Sequence, residues 1–171
     1  MKIVIYLIED NIADHKKILR EINAYLNDRY RNEEYSFEFK SLEGTVEKKC
    51  REKDWKFYEP GVIDTIRDKM AEEQLEGNKM GLLLDVLLTE EDLEYSLSKY
   101  YAKATIARDI YFEFNQVIPI YIITSILNFG TQSDIIMGVD LRDSYILKTC
   151  LDYPEDVFME HMFERYIQMI K

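Results

Sequence analysis

The sequence predicts an α/β fold, a doubly wound five-stranded parallel sheet with helices on both faces. Three observations predict it. Several short apolar runs are continuous rather than alternating: IVIYLI at Ile3–Ile8, GLLLDVLL at Gly81–Leu88 and VIPIYIITS at Val117–Ser125. Runs of that kind fit strands buried on both faces. Segments with helical spacing lie between them, and βαβα alternation gives a parallel sheet with right-handed crossovers. The polar residues that interrupt or end the runs fall where strands finish, and open α/β sheets bind ligands beyond the carboxyl ends of their strands.

The elements follow in order. The first strand, Ile3–Ile8, ends in Glu9-Asp10-Asn11. A helix follows, with Ile18, Ile22 and Tyr25 on one stripe and Leu19 and Leu26 beside it. Tyr35–Leu42 (YSFEFKSL) alternates polar and aromatic residues and reads as a more exposed strand. The long, charged segment at 43–79 is mostly helical in composition and reads as an elaborated crossover; Pro60 and Gly61 divide it, and Pro60 is placed to open the second helix. Gly81–Leu88 is the third strand and carries Asp85. Glu90–Phe114 reads as one helix, with Tyr100, Ala104, Ala107, Tyr111 and Phe114 at helical spacing and Glu90, Glu91 and Asp92 suiting its N-terminal dipole. The fourth strand ends at Thr124 and Ser125. A short helix over Thr131–Met137 is stopped by Gly138. Tyr145–Leu147 is a fifth strand ending at Lys148, and a last helix opens near Pro154 and Glu155 with Phe158, Met162 and Tyr166 on one face. No repeat or interdomain linker divides residues 1–171, which read as one domain.

Composition narrows the function. The 171 residues are 47% hydrophobic, enough for a filled core, and the net charge is −11. An acidic chain lacks the basic surface that non-specific nucleic-acid binding needs. No apolar stretch approaches a membrane span, and nothing at the start resembles a signal peptide. Cys50 and Cys150 belong to no CxxC or Cys/His cluster, so neither a disulfide framework nor a zinc site is expected. Reduced thiols and a cytoplasmic location follow as expectations.

Aligned strands bring Glu9, Asp10, Asp85, Thr124, Ser125 and Lys148 to one crevice. Crowded carboxylates repel unless a cation neutralises them, and an oxygen-only ligand set favours a hard ion, magnesium first. A carboxylate can accept a phosphoryl group as an acyl phosphate. A metal, a lysine and a hydroxyl then suit the phosphoryl oxygens. Each feature also has an ordinary reading. Glu9-Asp10 could cap the first helix. Lys148 could be a solvated lysine, Thr124 a plain strand residue and Tyr145 core. Asp85 is the exception, because an unpaired buried carboxylate is costly within an apolar strand.

In its full set the sequence resembles the receiver domain of bacterial response regulators. The acidic pair Glu9-Asp10 follows the first strand. Asp85 sits in LLLDVLL closing the third, PIYIIT ends at Thr124, and Lys148 closes the fifth strand with Tyr145 three residues earlier. The resemblance spans Lys2 to Lys171 and implies a flavodoxin-like sheet of order 2-1-3-4-5. It implies that Asp85 is phosphorylated, with Asp10, Asp85 and the backbone carbonyl of Leu87 on Mg2+ and Glu9 acting through water. Thr124 would hydrogen-bond the phosphoryl group and Lys148 would pair with it, while Tyr145 turns inward as Thr124 moves. Implied partners are a sensor histidine kinase or phosphotransfer protein, a downstream protein and a second copy in a homodimer. Such a chain catalyses only its own phosphorylation and dephosphorylation. It departs from the family at Thr149 and Thr89, where proline is usual, in lacking a glycine in the loop after the third strand, and in longer stretches between site residues.

Two other readings compete. One is a degenerate receiver that acts as a phosphorylation-independent interaction module. The other is a small magnesium-dependent phosphohydrolase of the haloacid-dehalogenase type, which needs Asp-x-Asp after the first strand; this chain has Asp10-Asn11-Ile12 there.

Overall fold

A computed structural model describes residues 1–30, 34–42, 46–50, 53–92, 104–149 and 157–171. Five parallel strands form the main sheet: β1 (Lys2–Ile8), β2 (Ser36–Ser41), β5 (Lys79–Leu84), β6 (Ile120–Thr124) and β7 (Tyr145–Leu147), in the order β2-β1-β5-β6-β7. A separate antiparallel hairpin is formed by β3 (Val46–Cys50) and β4 (Lys53–Phe57). The helices are α1 (Ile12–Arg29), α2 (Val62–Leu75), α3 (Ile106–Phe114), α4 (Phe129–Met137) and α5 (Val157–Ile170).

The apolar runs explain the layering. Successive strand residues point to opposite faces, so a run with no polar break supplies two cores. Val4, Tyr6, Ile8, Leu82, Leu84 and Ile122 pack with α2, α3 and α4 on one face. Ile3, Ile5, Leu7, Leu83, Tyr121 and Ile123 pack with α1 and α5 on the other. In α1 the buried stripe is Ile18, Ile22 and Leu26. α4 ends at Gly138, whose φ of 73° is the left-handed conformation that closes helices.

Two expectations need correction. The 43–79 segment is not mainly helical: it opens with the β3–β4 hairpin, and only α2 is helix. Charged composition hid a period-2 pattern, in which Val46 pairs with Phe57 and Lys48 with Trp55. The helix expected from Glu90 to Phe114 is not continuous, because residues 104–105 are non-helical and α3 starts at Ile106. Thr89 begins one turn by accepting the Asp92 amide (3.0 Å), and the Thr105 hydroxyl donates to Asp92 (2.9 Å) just before α3. Tyr100 lies outside the described residues. Tyr166, placed on one face of the last helix, is buried against Tyr121, with ring centroids 5.2 Å apart. Pro154 and Glu155, and the side chains of Phe158 and Met162, lie outside what is described.

Gly81 lets the last helix close on the sheet. A Cβ there would meet the Tyr166 hydroxyl and, at 2.7 Å, Ile170 Cδ1. Gly81→Ala is expected to overpack this core and destabilise the fold by about 1–3 kcal/mol. Urea unfolding measures the loss, and Tyr166→Phe, which removes the nearest atom, should recover part of it.

Candidate functional site

The strand register builds the site. Ile8 pairs with Leu84, and the Asp85 amide donates to the Ile8 carbonyl (2.9 Å), so Glu9 and Asp85 emerge side by side beyond β1 and β5. At the far side Leu84 pairs with Ile122, and Thr124 with Leu147, so Thr124 closes β6 and Lys148 leaves β7 at the same edge. β5 ends at Leu84, so Asp85 stands at the strand end rather than inside it.

Glu9, Asp10 and Asp85 are all buried, and one carboxylate oxygen from each lies within 4.8 Å of the others. The acidic pair does not cap α1. Asn11 is the N-cap, its Oδ1 accepting the Asp14 amide (3.0 Å), and its own amide donates to Glu9 Oε1 (3.0 Å). The cap role thus falls to the neighbour, and neither carboxylate of the pair is spent on the amides of α1.

The Lys148 ammonium reaches into this group. It lies 2.6 Å from Glu9 Oε2, 3.2 Å from Asp14 Oδ2 and 3.4 Å from Asp85 Oδ2. Burial alone would lower its pKa, but Asp85, Glu9 and Asp14 together hold it above the ordinary lysine value. Burial and the Asp85 charge push Glu9 up to about 8, against the pull of Lys148. Asp10 is raised well above the usual range by burial and by the charges of Asp85 and Glu9. Without a cation, the cavity therefore retains protons on carboxyls that are ordinarily ionised at neutral pH. Three buried carboxylates outnumber the one ammonium, and an all-oxygen donor set within 4.8 Å fits a hard cation.

Thr124 is buried and its Oγ1 accepts the Ile126 amide (3.1 Å), so its own proton remains to donate. Tyr145 is half-buried on Phe129, ring centroids 5.3 Å apart, and its hydroxyl fills the space that a Cβ on Gly130 would need. Leu87 is half-buried in the loop after Asp85 and packs on the α2–α4 core. Ser125, next to Thr124, is exposed.

Sequence reasoning missed two participants. Asp14 is one, although its place in the first turn after the acidic pair was a signal. The other is the β3–β4 hairpin. The Lys56 amide donates to the Asp10 carbonyl (2.6 Å), Asn11 bridges Trp55, Lys48 pairs with Glu90, and the Tyr58 amide donates to the Leu88 carbonyl (2.8 Å). The hairpin and the residue after it thus attach to both acidic loops.

No family model and no curated protein matches the chain. It is similar to a solved fusion described as a trimeric coiled-coil segment of yeast Spc42, amino acids 181–211, joined to another structure. That superposition covers 98% of this chain and 79% of the other, at 13% identity and a TM-score of 0.45. At that level the likeness identifies neither a family nor a function. No helix among the described residues is long and apolar enough to cross a membrane.

The raised carboxyl of Glu9 makes the metal-free fold sensitive to pH. Between its ordinary value, near 4.5, and about 8, the folded state keeps a proton that the unfolded chain has lost. Stability is therefore expected to fall as pH rises through that window. Asp10→Asn should raise the metal-free melting temperature at pH 8, by about 2–4 °C for each kcal/mol of repulsion relieved. Magnesium should flatten the wild-type slope, and Asp10→Asn should lose most of that response. Calorimetric melting at pH 5 and pH 8, with and without magnesium, measures all three.

Proposed function

We propose that this chain is a phosphoacceptor switch of the response-regulator receiver type, in which Asp85 accepts a phosphoryl group in a magnesium-dependent reaction. The observation that carries this reading is the meeting of Glu9, Asp10 and Asp85 with the ammonium of Lys148 beyond the carboxyl ends of the parallel strands β1, β5 and β7. The sheet topology supports it. With the hairpin set aside, the parallel order β2-β1-β5-β6-β7 supports reading the main sheet as flavodoxin-like.

Asp10 and Asp85, with the Leu87 carbonyl, would hold the magnesium ion directly and Glu9 through water, and the ion would supply positive charge against the carboxylates and the incoming phosphoryl oxygens. Asp85 presents an oxygen to the phosphorus of a phosphohistidine or small acyl phosphate. The bond to Asp85 forms as the bond to the donor breaks, and the donor keeps that electron pair. Lys148 turns an N–H toward one phosphoryl oxygen, and Thr124 donates its hydroxyl to another. Movement of Thr124 gives the Tyr145 ring room to turn, which alters the surface around α4, β7 and α5. A sensor histidine kinase or phosphotransfer protein would supply the group. A downstream protein or a second copy would read the altered surface.

Acetyl phosphate with magnesium should add one phosphoryl mass to the intact protein, and Asp85→Asn should take up none. A wild type that gains no mass, or a variant that gains as much, overturns the proposal. Beryllofluoride should change amide hydrogen exchange at 126–148 and in α5. Changes confined to the loops holding Asp10, Asp85 and Lys148 would mean that the site binds its ligand without signalling through Tyr145.

A further inference from the structure

The lysine at the site has more anchors than the proposed chemistry needs. An ammonium has three N–H donors, and three carboxylate oxygens surround this one: Glu9 Oε2 at 2.6 Å, Asp14 Oδ2 at 3.2 Å and Asp85 Oδ2 at 3.4 Å. Two of these carboxylates belong to the acidic triad. A divalent cation in the triad draws on the same groups and repels the ammonium beside it. Only Asp14 stands outside that competition. It lies in the first turn of α1, with its side chain 37% exposed, while that of Lys148 is 12% exposed. Asn11 fixes its place, because the Asn11 side chain holds the Asp14 amide while the Asn11 amide holds Glu9. One cap residue thus sets the spacing between two of the lysine's anchors.

We propose that Asp14 is a positioning residue that holds Lys148 aside when the triad takes a divalent cation, so that lysine and cation share the cavity instead of excluding each other. The inference rests on the metal-binding reading of Glu9, Asp10 and Asp85. In the metal-free state Lys148 neutralises the triad from within. On cation entry it shifts its bonding toward Asp14 and stays within reach of Asp85. Asp14 touches neither the cation nor a phosphoryl group, and acts only through the lysine.

Magnesium titration by calorimetry of four proteins tests this: wild type, Asp14→Asn, Lys148→Met and the double variant. Asp14→Asn should bind magnesium about three- to fivefold more weakly, the scale of a partly exposed ion pair. Asp14→Glu should restore much of the affinity. Lys148→Met should bind more tightly than wild type, since the competing ammonium is gone. In the Lys148→Met background, Asp14→Asn should change nothing. A mere loss of nearby negative charge would weaken binding equally in both backgrounds, and that result overturns the proposal, as does unchanged affinity in the single variant. The helix cap uses the backbone amide of residue 14, so the metal-free melting temperature of Asp14→Asn reports whether the fold is intact. If the wild type takes up no magnesium at all, the metal-binding reading fails and this inference fails with it. If the wild type binds and only the cycle between residues 14 and 148 is absent, that reading survives.

Discussion

Mutual repulsion among Glu9, Asp10 and Asp85, held in a buried space at the end of a parallel sheet, is the constraint around which the neighbouring structure is arranged. Strands apolar on both faces leave no solvent on either side, so polar groups can gather only where the strands stop. The repulsion is relieved in part by Lys148, which β7 delivers from across the sheet. It is relieved further by proton retention on Glu9 and Asp10. Asn11 contributes by taking the helix cap, so that neither carboxylate of the pair is spent on α1.

The same arrangement links the site to the surface. Thr124 and Lys148 end neighbouring strands, and Tyr145 lies three residues before Lys148 on the short edge strand. Its ring rests on Phe129 and against Gly130, at the start of α4. Tyr145 also contacts both cores, so it stands at the boundary between the two layers. A side chain placed there is only half-buried, and it packs on a helix that begins five residues beyond Thr124.

Much of this was legible in the sequence, for physical reasons that differ by element. Ile3–Ile8 and the core of Val117–Ser125 announce buried strands because nothing polar interrupts them, although the second strand is only Ile120–Thr124 and Val117 lies exposed in the turn before it. Gly138 marks the close of α4 because few other residues adopt its backbone conformation readily. Asp85 and Lys148 stand out as ionisable groups beside apolar runs. The hairpin did not stand out, because VEKKC and KDWKF carry too many charges to look like strands, and their pairing is a long-range fact of register. The break before α3 was hidden because helical spacing persists across Ala104 and Thr105, while the bond from Thr105 to Asp92 is tertiary. Asp14 was overlooked because its partner lies 134 residues away.

The β3–β4 hairpin stands apart from the main sheet, and two strands alone are marginally stable in water. It keeps its shape by leaning on backbone groups of the Asp10 and Leu88 segments. Support of that kind runs both ways. When the hairpin frays, the Asp10 and Leu88 segments lose a backbone partner together, so local opening there is a single event that takes in both acidic loops.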